Sequence, residues 1–153
     1  MIYTIGYQNL TPPQLRNLMD SLRVDLLIDV RSVPRSRKRG FSQTSLLALF
    51  GTRYEWRGDR LGGRSPGVTK AGLDELASDK RNLMLLCLEH LPGDCHRHHA
   101  IAVPLDKRGV ACLHVVDNEA VPTYEVTRAL DSAQHGDCAY SAFSLADVVD
   151  SLA

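Results

Sequence analysis

At 153 residues, with 44% apolar and 24% charged residues, the chain has the length and composition of one ordinary globular domain, which argues against extended disorder and against coiled-coil or collagen-like architectures. No run approaches the roughly 18 consecutive apolar residues of a membrane span, and Met1 to Tyr7 has neither the basic stretch nor the small-residue cleavage site of a secretory signal, so a cytoplasmic protein without a membrane partner is expected. The net charge is +0 but unevenly spread: residues 31–64 hold nine Lys or Arg against Glu55 and Asp59, and residues 117–153 hold seven acids against Arg128.

Ile2 to Ile5 reads as a first strand, ended by the turn signal Gly6-Tyr7-Gln8-Asn9. Thr11 is placed to cap a helix opened by Pro12 and Pro13, with Leu15, Leu18, Met19 and Leu22 at helical spacing. Val24 to Val30 is almost continuously apolar, as in a strand buried on both faces of a parallel sheet. Arg31 to Gly40 is too charged and too rich in turn residues for a regular element, so an exposed loop is predicted. Ser42 or Thr44 caps a short helix through Leu46, Leu47, Leu49 and Phe50, followed by aromatics at Tyr54 and Trp56. Four glycines and a proline between Arg57 and Gly67 predict a long irregular loop, of the kind that is commonly functional.

A helix from Thr69 or Lys70 to Lys80 leads to the most apolar strand, Asn82 to Leu88. Pro92 to Arg97 then reads as a turn into a helix N-capped by Asp94, with Pro104 expected to kink or shorten it and Gly109 to stop it. Val110 to Val116 is a further strand, and 123–133 and 144–152 are expected helices. The alternation predicts an α/β fold: a single three-layer Rossmann-like domain over residues 1–153, with a mainly parallel sheet of four or five strands. Ligands of such folds sit beyond the carboxyl ends of the strands, which here carry Gly6-Tyr7, Asp29 to Ser32 and Cys87 to Arg97.

Those ends supply the candidate chemistry. A helix start beside Arg97 favours an anion such as phosphate, and a cysteine there, Cys95, has its thiolate stabilised and is a candidate nucleophile. His96 and Glu89 can move a proton near neutral pH, and Asp29 is either a general base or the salt-bridge partner of Arg31. Arg31, Ser32 and Arg97 are the expected phosphate binders; Arg35, Arg37, Lys38 and Arg39 resemble a grip on a nucleic-acid backbone. Cys95, His96, His98 and His99 contain no C-x2-C or H-x3-H pair, so neither a metal nor another cofactor is expected. The four cysteines, Cys87, Cys95, Cys112 and Cys138, are read as reduced thiols. A phosphatase loop would need Arg six positions after Cys87, where Gly93 stands, and no P-loop or dinucleotide fingerprint occurs.

Thr4-Ile5-Gly6, Asp29-Val30-Arg31-Ser32-x-Pro34-x-Ser36, Leu61-Gly62-Gly63, Leu86-Cys87-x-Glu89, Cys95-His96-Arg97 and Gly109 with His114 together resemble domain-of-unknown-function family 488 over about residues 2–116. The first motif of that family usually continues with histidine and serine, where this chain has Tyr7-Gln8. The resemblance implies a Rossmann-like α/β domain and places Asp29, Arg31, Ser32, Cys87, Glu89, Cys95, His96 and Arg97 on motif positions, without supplying a reaction. Leu27 to Arg31 and Cys87 are also faintly similar to rhodanese domains, although Glu89 to Asp94 replaces the compact loop that follows the rhodanese cysteine.

Three functions compete on these residues. The leading expectation is an enzyme acting on a phosphate-bearing substrate such as a nucleotide or nucleic acid; the alternatives are a non-catalytic nucleic-acid-binding module that uses the basic 31–64 segment, and a sulfurtransferase using Cys87.

Overall fold

Apolar residues alternate along Leu83–Cys87 between two helical layers, and this strand lies near the centre of the sheet with all five residues buried. The computed structural model describes residues 1–134, so Cys138 and the helix expected at 144–152 lie outside the described residues. In chain order the elements are β1 (Ile2–Gly6), α1 (Pro12–Ser21), β2 (Leu26–Asp29), α2 (Gln43–Phe50), β3 (Tyr54–Trp56), α3 (Gly58–Leu61), α4 (Lys70–Ser78), β4 (Leu83–Cys87), α5 (Val103–Asp106), β5 (Cys112–Val116), β6 (Glu119–Pro122) and α6 (Thr123–Gln134). A 3-10 turn, Pro92–Asp94, and a π-helix, Arg97–Ala102, lie between β4 and α5.

The sheet order is β3-β2-β4-β1-β5-β6, and every pairing is parallel except that of β5 with β6. Leu15, Met19, Leu27, Leu46, Met84 and Leu86 form the core on the face covered by α1 and α2. On the other face Ile28, Leu61, Leu73, Leu76, Leu85, Ile101 and Leu105 pack beneath α3, α4, the π-helix and α5. Helices on both faces of a mainly parallel sheet make the three-layer Rossmann-like arrangement expected from the alternation. Truncating a central residue such as Leu85 to Ala should cost about 2–5 kcal/mol.

The helix starts follow their local chemistry. Thr11 forms a full capping box with Gln14, Ser42 accepts from the Ser45 amide, and Thr69 accepts from the Gly72 amide. Four details differ from expectation. The sheet has six strands rather than four or five, because the short Tyr54–Trp56 segment adds to one edge and a hairpin adds β6 to the other. That hairpin turns through Asp117 and Asn118, both at positive φ, a conformation these two residue types tolerate. The expected loop after Arg57 begins with the short helix α3. Asp94 caps no helix: it ends the 3-10 turn, Cys95 is extended, and the π-helix starts at Arg97. Pro104 does not end the helix: Ala102 and Val103 stay helical, and the π-helix runs directly into α5 around it.

Candidate functional site

A cleft of about 460 Å³ opens where β1, β2 and β4 end, and its lining includes Tyr7, Arg35, Arg64, Cys87, Glu89 and His96. Its position beyond the carboxyl ends of parallel strands is the one the topology favours for ligands.

One wall is built on Asp29 and Arg31. Both are buried, and the guanidinium grips the carboxylate with two bonds, Nε to Oδ1 at 2.8 Å and Nη2 to Oδ2 at 2.5 Å. Nη1 donates to the Tyr7 hydroxyl at 3.0 Å and to the Phe41 carbonyl at 2.8 Å, while the Tyr54 hydroxyl donates to Asp29 Oδ2 at 2.8 Å. Burial, reinforced by the Asp29 charge, holds the Tyr54 phenol well above its ordinary pKa. The Arg31 carbonyl accepts from Trp56 Nε1 at 2.9 Å and passes so close to Gly58 that a Cβ there would lie 1.9 Å from it. Lys38 adds a second fastening, its Nζ donating to the Gln8 carbonyl at 2.6 Å. The Asp29–Arg31 pair is therefore a clamp that sets the course of the 31–41 loop.

Arg97 does similar work on the other side. It is fully buried, and its donors reach Thr4 Oγ1 at 3.2 Å, the Glu89 carbonyl at 2.6 Å and the His90 carbonyl at 3.0 Å. The same Glu89 carbonyl crosses Gly6 so tightly that a Cβ would lie 1.6 Å away. From Thr4 the chain of polar contacts continues to His114 Nδ1 at 2.6 Å, and His114 Nε2 meets His98 Nδ1 at 3.0 Å. Burial first, then the neighbouring His98 and Arg97, hold the His114 imidazole down to about 2; burial also holds His98 down to about 4, so both rings are neutral inside the fold.

The cleft floor is different. The Cys87 Sγ–H donates to Glu89 Oε2 at 3.2 Å, and His96 Nδ1 lies 3.9 Å from Cys87 Sγ and 3.8 Å from Cys95 Sγ. His96 Nε2 sits 3.0 Å from the Leu61 carbonyl, an acceptor that requires the proton on Nε2. The imidazole rests on Gly63, where a Cβ would approach ring atoms to 2.9 Å, so Leu61-Gly62-Gly63 is the seat of His96. Cys87 is 5% exposed and faces the cleft, whereas Cys95, 2% exposed, lies behind it and receives the Arg97 backbone N–H at 3.5 Å. Contact with Cys87 is the main reason that the Cys95 thiol is held well below its ordinary value, aided by His96 and Arg97 against the opposing effect of burial. The same contact pushes Cys87 up, with burial and Glu89 acting in the same direction. For His96 burial opposes the charged form, but the contact with Cys95 outweighs it and raises the imidazole.

Of the residues singled out in the sequence, Cys87, Glu89, Cys95 and His96 come together at the floor, and Ser32 stands on the wall with its Oγ accepting from the Arg64 amide at 2.9 Å. Asp29, Arg31 and Arg97 have their polar groups turned to partners inside the protein. Lys38 is engaged with backbone carbonyls, whereas Arg35, Arg37 and Arg39 are exposed with no side-chain partner among the described residues. Arg64, the last cation of the basic 31–64 segment, is exposed in the same way, and it shares the cleft lining with Arg35. Leu61 and Gly63 were legible only as a motif fragment without a role. His98 and His99 stay out of the floor: His98 meets His114, and His99 Nε2 lies 2.6 Å from the Gly93 carbonyl.

No curated protein and no solved structure gives a match to the chain. Residues 13–74, which carry the Asp29–Arg31 clamp, the basic loop and the Leu61-Gly62-Gly63 seat of His96, match the family model Domain of unknown function DUF488, the family that the motifs resemble.

Proposed function

We propose that the protein is an enzyme acting on a phosphate-bearing substrate, such as a nucleotide or nucleic acid, bound in the cleft above Cys87. The observation that carries this reading is the pairing, in one cleft, of two exposed arginines without partners among the described residues, Arg35 and Arg64, with a sulfur, imidazole and carboxylate group on the floor. Unpartnered guanidinium groups suit phosphate oxygens, and a half-buried floor of titratable groups suits bond-making chemistry. Arg35 and Arg64 hold the anion, Cys87, Cys95 and His96 form the reactive centre, and Glu89 carries a proton. Arg31 and Arg97 keep these groups in place, since their donors are engaged within the fold.

The exposed Arg37 and Arg39 favour a second reading, a binding module in which the loop alone supplies affinity. Fluorescence anisotropy with labelled single- and double-stranded DNA and RNA and with nucleotides, titrated at several salt concentrations, separates the two. The enzyme reading expects salt-sensitive binding that weakens in the Arg35→Ala/Arg64→Ala double variant, together with a mass change in the bound probe that Cys87→Ala abolishes. Binding that depends on Arg37 and Arg39 alone, with every probe unaltered, selects the module. No binding at low salt ends both.

A further inference from the structure

Cys87 closes β4, Cys95 lies at the end of the turn that follows, and His96 comes next in the chain, yet their two sulfurs and Nδ1 all lie within 4.8 Å of one another. Nδ1 is 3.9 Å from one sulfur and 3.8 Å from the other. A tetrahedral zinc ion with sulfurs at about 2.3 Å and nitrogen at about 2.0 Å needs ligand atoms about 3.5–3.8 Å apart. Both nitrogen–sulfur distances thus stand within about 0.4 Å of that spacing, and the two sulfurs lie within 4.8 Å of each other.

Their surroundings also fit a metal. The Leu61 carbonyl fixes the His96 proton on Nε2, leaving Nδ1 as the free donor, which is how metal-bound imidazoles are oriented by a backbone acceptor. Gly63 leaves the ring the space it occupies, since a Cβ there would come within 2.9 Å of Nδ1. The Arg97 amide points at Cys95 Sγ, as amides do toward ligating thiolates. Two sulfurs and an imidazole are a soft donor set that selects zinc over magnesium or calcium.

We propose that Cys87 Sγ, Cys95 Sγ and His96 Nδ1 bind one zinc ion, with the fourth coordination position open to the cleft beside Glu89. Three protein ligands and one open position are the pattern of a catalytic rather than a structural zinc site. Water or a substrate oxygen occupies the open position, and Glu89, whose Oε2 is 3.2 Å from Cys87 Sγ, is placed to accept the proton of that water. The proposal deepens the function proposed above, and its catalytic meaning rests on that reading, although metal binding is measured independently of any substrate.

The test is a cobalt titration of chelator-treated full-length protein under reducing conditions. One equivalent of Co2+ should bring up sulfur-to-cobalt charge-transfer absorption and the intense visible bands of a tetrahedral ion, both displaced by zinc. Cys87→Ser and Cys95→Ser should each halve the charge-transfer intensity, and His96→Gln should weaken binding by about 100-fold or more. Should the cysteine variants fail to fold by circular dichroism, alkylation of the wild-type protein decides: zinc should protect Cys87 and Cys95 in mapped peptides and leave the labelling of Cys112 and Cys138 unchanged. Absent charge-transfer absorption, or alkylation of Cys87 and Cys95 that zinc does not slow, overturns the proposal. Oligonucleotide anisotropy in the same samples keeps the two readings apart, because a cobalt spectrum without anion binding sinks the substrate reading alone, and anion binding without the spectrum sinks the metal alone.

Discussion

Two pairs of arginines surround this cleft and behave in opposite ways. Arg31 and Arg97 are buried, each with its guanidinium matched to acceptors inside the protein, while Arg35 and Arg64 reach solvent with no acceptor among the described residues. A buried guanidinium is costly unless its donors are satisfied, so the residue that best satisfies them becomes architecture. An exposed one costs little to leave unpaired and stays available for a ligand. Nearness to the ligand end of a sheet therefore does not make an arginine a binder; what decides is whether backbone carbonyls and carboxylates have already taken its donors.

The strongest way to break this contrast is Arg31→Met. It strands the fully buried Asp29 without its cation, and urea unfolding should register a loss of about 3–5 kcal/mol. A loss under about 1 kcal/mol would place Arg31 among the available arginines instead. Next comes Gly6→Ala, where the added Cβ meets the Glu89 carbonyl that Arg97 holds; about 1–3 kcal/mol should be lost, and Cys87 should alkylate faster as the exit of β4 shifts.

A pH series probes the buried side more gently. His114 is held down to about 2 in the fold by burial, with His98 and Arg97 beside it, and titrates near 6.5 when unfolded. Below about pH 6.5 the unfolded chain therefore binds a proton that the native state refuses, so stability should fall by up to about 1.4 kcal/mol per pH unit on acidification and level off above pH 7. His98, held down to about 4, adds a slope of the same sign, so His114→Asn should remove about half of the combined pH dependence in urea titrations at pH 5 and 7. The smallest effect on stability belongs to Arg35→Ala/Arg64→Ala, within about 0.5 kcal/mol of the parent, while the salt slope of anion binding drops by about two.

Much of the fold was legible because its signals are local. Thr11, Ser42 and Thr69 cap the helices their sequence context predicts, and the apolar runs at Val24–Val30 and Asn82–Leu88 contain β2 and β4. The edge strands were not legible: Tyr54–Trp56 is three residues long, too short for its apolar-polar-apolar order to mark a strand, and the Asp117-Asn118 hairpin turns without glycine. The site was half legible. Its residues were found, but Cys87 entered only through the sulfurtransferase alternative and Cys95 was grouped with the histidines that follow it, because linear spacing cannot reveal that a strand end and a later turn fold onto one another. The engagement of Arg97 was hidden for the same reason, since its acceptors are two carbonyls of the Glu89-His90 turn and the Thr4 hydroxyl, 93 residues away.

The π-helix at Arg97–Ala102, where the Val103 amide reaches back to the His98 carbonyl, makes the connection between floor and scaffold a matter of phase. A π-turn is an α-helix carrying one extra residue, and one residue corresponds to about 100° of rotation. Removing a residue there would let the helix wind regularly while turning Cys95 and His96 about a quarter of a circle relative to Ile101 and Leu105, which are anchored in the core. The irregular turn is thus a timing element: it lets one end of the segment obey the core and the other end obey the cleft.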